Sequence, residues 1–286
     1  MLTQILVPLD GSDLAERAIP PAEHLARSSG AVIHLVRVAM TPSAAYWVGT
    51  YGHMPLPTYT DDFWADEAKA ASEYLETERA TLAASGISAR AVTLSGDVAG
   101  SLLDYARDNA IGLIVMCSHG RGGLARFTLG SIADRLVRHA DAPILLVRAF
   151  GAPTALERVV VPLDGSRDAE AALRVVKSLP AHAVQDLTLL RVITAPEDGP
   201  EAERYLAEVG KQLRQDHLVV TSRVELGDPS RAIVELAGRD RLVVMATHGH
   251  GAIARWALGS VADRVARHAE AAVLLVRASA EPTAPV

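Results

Sequence analysis

The chain repeats itself. Residues 118–149, SHGRGGLARFTLGSIADRLVRHADAPILLVRA, return at 247–278 as THGHGAIARWALGSVADRVARHAEAAVLLVRA, with 20 of 32 ungapped positions identical. The hexapeptide VPLDGS occurs at 7–12 and again at 161–166. In a chain of 286 residues, two such echoes in the same order require two halves of similar architecture. Asp10 and Asp164 lie 154 residues apart, whereas Gly130 and Gly259 lie 129 apart, so the second copy is about 25 residues shorter. Most of that shortfall falls after Met40. The domain boundaries expected are 1–149 for the first copy, with an insertion at 41–64, then a linker at 150–156 (FGAPTAL), the second copy at 157–280 and a tail at 281–286.

Each half alternates apolar runs with amphipathic stretches. Strands are expected at 4–9, 31–38, 87–94, 112–117 and 143–148, then at 158–163, 186–193, 218–226, 242–246 and 272–277. Helices are expected at 13–28, 62–85, 98–109 and 131–140, then at 167–178, 201–215, 229–238 and 260–268. Ser12 stands where it can cap the first helix, with Asp13 and Glu16 in a first turn that favours negative charge. Strands apolar on both faces and alternating with helices give a parallel sheet covered on both sides. The fold class is therefore α/β: two tandem, doubly wound, Rossmann-like domains, each a five-stranded parallel sheet with helices on both faces. Ligands on such sheets sit beyond the carboxyl ends of the strands, where strand order reverses. Asp10 and Ser118 follow strands one and four, and their ends meet if those strands are neighbours.

Composition limits the function classes. The net charge of −6 argues against a general binder of nucleic acid or anionic membrane, though not against a nucleotide held by local N–H groups. The single cysteine, Cys117, rules out an intrachain disulfide and fits a reducing compartment. The start of the chain lacks the features of a signal peptide, and no stretch reaches the ~20 apolar residues of a membrane helix. A cytoplasmic protein is expected. Chemistry-bearing motifs are missing: there is no P-loop lysine, no kinase signature and no zinc-spaced Cys/His cluster.

What remains is a glycine-rich loop followed at once by a helix N-terminus, present in each half. Glycine lets backbone N–H groups approach an anion, and the helix start presents unsatisfied donors to it. With VPLDGS after strand one, S/T-H-G after strand four, L-G-S-x-A-D-R opening helix four and a closing LLVR strand, all in order and twice, the chain resembles the universal stress protein family in its tandem form. The resemblance covers nearly the whole chain. It implies a Gly-x-x-Gly, nine residues, Gly-Ser/Thr motif for ATP. Here the second and third glycines and the serine are kept as Gly120, Gly130 and Ser131, and as Gly249, Gly259 and Ser260. The first glycine is replaced by Cys117 and by Ala246. The resemblance further implies that Asp10 and Asp164 lie near the adenosine, that Val38 and Val192 meet the adenine edge through their backbone, and that Mg²⁺ accompanies the phosphates.

The implied function is a nucleotide-responsive stress protein with up to two ATP sites per chain. The alternatives are a nucleotide-free, chaperone-like interaction module of the same fold, favoured by the two lost glycines, and an enzyme acting on a nucleotide, for which no base–nucleophile pair is visible. Binding with at most slow hydrolysis is expected. The resemblance implies fifth strands of the kind that often pair across a dimer, so the chain is expected as a homodimer or as an intrachain pseudo-dimer.

Several residues carry a second reading. Ser131 with Asp134, and Ser260 with Asp263, match a helix capping box as well as a phosphate contact. Asp10 and Asp164 equally suit an Asx-turn. His119 and His248 suit packing or backbone bonding more than ligand contact. His139 and His268 sit in a last helical turn and receive no function. Cys117 reads as a small buried residue rather than a redox sensor. Arg121, Arg126 and Arg255 reach either phosphate or solvent. Asp134–Arg138 and Asp263–Arg267 are i,i+4 pairs on an outer helix face. The stretch 41–64 holds six of the twelve aromatic residues and is expected to pack on a neighbouring domain or subunit, or to lid the first site.

Overall fold

The computed structural model describes residues 2–39, 61–118, 129–148, 156–179, 184–213, 218–247 and 258–277. The aromatic insertion up to residue 60, both glycine loops with His119, Gly120, Arg121, Arg126, His248, Gly249 and Arg255, the linker at 150–155 and the tail lie outside the described residues.

The strands are β1 (Gln4–Pro8), β2 (Val32–Ala39), β3 (Ala89–Ser95), β4 (Leu113–Cys117) and β5 (Ile144–Val147), then β6 (Arg158–Pro162), β7 (Asp186–Ile193), β8 (Val219–Leu226), β9 (Leu242–Ala246) and β10 (Val273–Val276). They form one ten-stranded sheet in the order β3-β2-β1-β4-β5-β10-β9-β6-β7-β8. Within each half all pairings are parallel. The halves join through β5 and β10, which pair antiparallel with Leu146 opposite Val273 and Ile144 opposite Leu275. Of the two assemblies expected, the intrachain pseudo-dimer is therefore present in the fold itself.

The helices are α1 (Asp13–Glu16), α2 (Ile19–Ser29), α3 (Asp61–Ala84), α4 (Val98–Asp108) and α5 (Ser131–His139), then α6 (Ala171–Ser178), α7 (Gly199–Leu213), α8 (Pro229–Ala237) and α9 (Ser260–His268). Every residue of β4, β5, β9 and β10 is buried, because helices cover both faces of the sheet. Residues of α1–α3, α6 and α7 share one apolar core with the sheet, and those of α4, α5, α8 and α9 share the other. Both cores run unbroken across the seam. Side chains such as Leu136, Leu145 and Leu146 are fully buried there, each worth about 1.5–3 kcal/mol of transfer free energy.

Two expected helices start differently. The helix expected at 13–28 breaks into α1 and α2, because Pro20 and Pro21 are tolerated only in a first helical turn, where no N–H is needed. The helix expected from 167 begins at Ala171, after residues 167–170 have formed turns.

The seam carries polar order as well. Arg138 holds Asp134 through Nε (2.9 Å) and Nη2 (3.1 Å), and Arg267 holds Asp263 in the same way at 3.0 Å each. Arg267 also donates to Asp134 at 3.3 Å, and Arg138 comes within 3.9 Å of Asp263. The two i,i+4 pairs are thus one four-membered ring spanning both halves. Hydrogen bonding from Arg138 is the chief reason that the Asp134 carboxyl is held below its ordinary range.

Candidate functional site

Sheet order places β1 beside β4 and β6 beside β9. Ile5 stands opposite Leu113, and Val159 opposite Leu242. The chain leaves β1 towards β2 on one side and returns through β4 on the other. A crevice therefore opens beyond the carboxyl ends of β1 and β4, and an equivalent one beyond β6 and β9. The meeting of strand ends expected from the sequence is realised in both halves.

The Asp-Gly-Ser turn borders each crevice. Asp10 Oδ1 accepts from the Ser12 N–H at 3.0 Å and from its hydroxyl at 2.5 Å. Asp164 Oδ1 accepts from Ser166 at 2.9 and 2.5 Å. Ser12 Oγ in turn accepts from the Ala15 N–H, and Ser166 Oγ from that of Ala169. The middle residues, Gly11 at φ 78° and Gly165 at φ 81°, occupy left-handed backbone that a Cβ disfavours. At Gly165 a Cβ would also sit 2.9 Å from Arg191 Nη1. The Asx-turn reading of both aspartates is thereby realised, and one oxygen of each is committed to the turn.

Opposite each turn begins a short helix. The Gly130 N–H donates to the Ser118 carbonyl at 3.0 Å and Gly259 to Thr247 at 2.8 Å, which ties the helix start to the strand end. Gly130 and Gly259 are the N-caps, with φ −58° and −59°, and among the described residues no side chain caps either helix. The capping-box expectation is corrected here. Ser131 and Ser260 are the first helical residues rather than the caps, and Asp134 and Asp263 turn to arginines instead of back to the helix start. The first intrahelical bonds are Asp134 N–H to Gly130 and Asp263 N–H to Gly259. The N–H groups of residues 131–133 and 260–262 thus have no helical carbonyl upstream, and Ser131 and Ser260 are exposed. This is the donor arrangement that suits an anion.

Val38 and Val192 flank the crevices from the other side. The last β1–β2 pair is Pro8 with Val36, and the last β6–β7 pair is Pro162 with Leu190. Val38 and Val192 each lie two residues further on, with no residue of β1 or β6 opposite. Their backbone edges therefore overhang the crevice. Cys117 and Ala246 end β4 and β9 and are buried at 6% and 7% exposure, so their side chains point into packed surroundings. The charge of buried Arg148 reaches Cys117 electrostatically, a neighbour that the sequence did not show.

A polar cluster behind each turn escaped sequence reasoning. Tyr74 on α3 donates to Glu16 at 3.0 Å, and Tyr205 on α7 donates to Glu170 at 3.0 Å. Arg37 lies over the Tyr74 ring at 5.6 Å, and Arg191 over Tyr205 at 5.9 Å. Burial, then the bond to glutamate, pushes both phenols well above their ordinary range, so they remain donors at any physiological pH. The clusters pin α1 and the segment after Ser166 to the long helices, which fixes the Asp-Gly-Ser turn. The signal that would have revealed them is recurrence: Glu16, Arg37 and Tyr74 all have identical counterparts in the second half.

The universal stress protein family model matches this chain twice, over residues 1–148 and 155–277. The chain belongs to the universal stress protein family. A universal stress protein of Mycolicibacterium smegmatis is 28% identical over 293 residues, covering 96% of both chains. The Bacillus subtilis universal stress protein YxiE is 28% identical over 152 residues, 52% of this chain and 100% of its own length. The crystal structure of an Archaeoglobus fulgidus universal stress protein superimposes with a TM-score of 0.78 over 97% of this chain and 99% of its own, at 18% identity, which attests the shared tandem fold. Among the described residues of this universal stress protein, no helix is long and apolar enough to cross a membrane, and no group of three or more His, Cys, Asp or Glu could hold a metal ion.

Proposed function

We propose that each half of this universal stress protein binds an adenine nucleotide, ATP with its Mg²⁺, and that occupancy serves a regulatory role in a cytoplasmic stress response. The observation that carries this is the pair of exposed, glycine-capped helix starts facing Asp-Gly-Ser turns across a switch-point crevice, built the same way twice. The residues fit the ligand. Phosphates suit the N–H groups at Gly130–Ser131 and Gly259–Ser260 together with the two serine hydroxyls, and the sequence adds Gly120 and Gly249 to that loop. The adenine edge suits the overhanging backbone at Val38 and Val192, with Asp10 and Asp164 beside the sugar. When bound, Mg²⁺ would screen the phosphate charge. The role of these residues in this reading is binding, with at most slow hydrolysis.

The experiment is isothermal titration of the full chain with ATP and Mg²⁺. Two equivalents should bind, falling to one in Gly130→Glu and one in Gly259→Glu, since a carboxylate at either helix start repels phosphate and blocks its approach. Unchanged stoichiometry in both variants contradicts the site assignment. A wild-type protein that binds none favours the nucleotide-free interaction module, for which the filled positions at Cys117 and Ala246 already speak.

A further inference from the structure

The register of the seam crosses the halves. Because β5 and β10 run antiparallel, the end of each strand lies beside the start of the other, and that start directly follows the other half's glycine-capped helix. Arg148, one residue beyond β5, is 7% exposed and reaches into the second half. Its Nη2 donates to the carbonyls of Ala266 (2.6 Å) and Val265 (3.3 Å), and its Nε to that of Ala271 (3.3 Å). Arg277, one residue beyond β10, does the converse. Its Nη2 donates to the Arg138 carbonyl at 2.5 Å, and its Nη1 meets Asp141 at 3.4 Å. Each arginine therefore caps the carbonyl end of the helix whose amino end forms the candidate phosphate site of the opposite half. Burial brings Arg148 down to about 10, which leaves it cationic at neutral pH.

We propose that Arg148 and Arg277 are crossed positioning residues: Arg148 sets the second nucleotide site, at Gly259–Ser260, and Arg277 sets the first, at Gly130–Ser131. The inference rests on the nucleotide reading above. Its physical basis is the shortness of α5 and α9. A nine-residue helix is about 13 Å long and moves as a rod, so fixing its carbonyl end fixes its amino end. A cation at the carbonyl end also balances the helix dipole. The ring of Asp134, Arg138, Asp263 and Arg267 holds the two rods against each other midway. The halves of the chain are then two sites that each borrow an anchor.

The test uses the full chain with one site blocked at a time. In the Gly130→Glu background, Arg148→Met should weaken ATP binding at the remaining second site by about tenfold, an ordinary coupling between linked sites. In the Gly259→Glu background the same substitution should leave the first site within about threefold. Arg277→Met should give the mirror image, and Arg148→Lys should recover part of the loss, since it keeps the charge but not the guanidinium fork. Equal weakening of both sites, or loss at the site in the same half, overturns the crossed assignment. Hydrogen exchange of the nucleotide-free protein supplies a readout independent of binding. Arg148→Met should speed exchange at 260–269 and not at 131–140, and Arg277→Met the reverse. If the wild type binds no ATP, the nucleotide reading fails and this exchange pattern alone decides the crossed anchors. If Arg148→Met fails to fold, Arg148→Lys carries the same comparison.

Discussion

The two halves agree where the chain turns and where it meets itself, and differ where it fills its interior. Both keep the Asp-Gly-Ser turn, the glycine N-cap, the tyrosine–glutamate bond and the arginine after the last strand. Inside the first half, His34 is 1% exposed on β2 and is held between Tyr105 at 2.7 Å and Gln4 at 2.5 Å. In the second half the same register places Thr188 opposite Val160, as His34 stands opposite Leu6, and the repeat gives Leu236 and Arg158 for the other two partners. Arg37 is clamped by Glu67 at 3.0 Å, while its counterpart Arg191 contacts the Leu163 carbonyl at 3.4 Å and keeps a buried Nε with no hydrogen-bond partner among the described residues. What is repeated is thus the frame of the crevice and the seam. What varies is core packing, which tolerates substitution when volume and polarity are matched.

The largest effect should come from breaking the shared seam. Arg148→Ala removes a buried guanidinium that donates to three carbonyls, of which Val265 keeps its bond from the Ala269 N–H, and should cost about 2–4 kcal/mol in denaturant unfolding of the full chain. Arg277→Ala, at a more open site, should cost about 1 kcal/mol. Equal costs would show that the two arginines are energetically alike, contrary to their burial.

The shared turn comes next. Gly165→Ala places a side chain in left-handed backbone and against Arg191, and should cost about 1–2 kcal/mol. Gly11→Ala should cost about 1 kcal/mol from the backbone alone.

The interior difference predicts an asymmetry in pH response. Burial, aided by the charge of Arg90, lowers the His34 imidazole below its ordinary value. The folded state then binds fewer protons than the unfolded one, so stability is full above about pH 6.5 and declines as the pH falls through the folded value. The slope can reach about 1.4 kcal/mol per pH unit. Melting of the wild type between pH 7.5 and 5.5 should show this decline, and His34→Thr, which copies the second half, should flatten it. An unaltered slope in that variant would place the pH response elsewhere.

The smallest effect should follow from thinning the four-membered ring. Asp134→Asn leaves Arg267 its own partner Asp263 and should cost about 0.5–1 kcal/mol, less at high salt.

Much of the fold was legible because apolar runs and helical spacing are local signals. The repeat alone told that the second half must copy the first, and the neighbouring of β1 and β4 follows from the doubly wound pattern. The break at α2 was written in Pro20 and Pro21 but outweighed by the periodicity around them. The site was legible as a set of loop residues, while the capping of α5 was not. Gly130 takes the N-cap because its N–H is drawn to the Ser118 carbonyl, a contact between residues twelve apart that no short motif encodes. Arg148 and Arg277 were visible as strand ends. Their task depends on the antiparallel register of β5 and β10, which is fixed only when the two halves meet.

The most direct measurement is a crystal structure of the full chain grown with ATP and Mg²⁺. Phosphate oxygens within hydrogen-bonding distance of the N–H groups of Ser131 and Ile132, and of Ser260 and Val261, with adenine against the backbone of Val38 and Val192, is the result expected. Nucleotide bound elsewhere, or both helix starts closed over by side chains of the glycine loops, would contradict it.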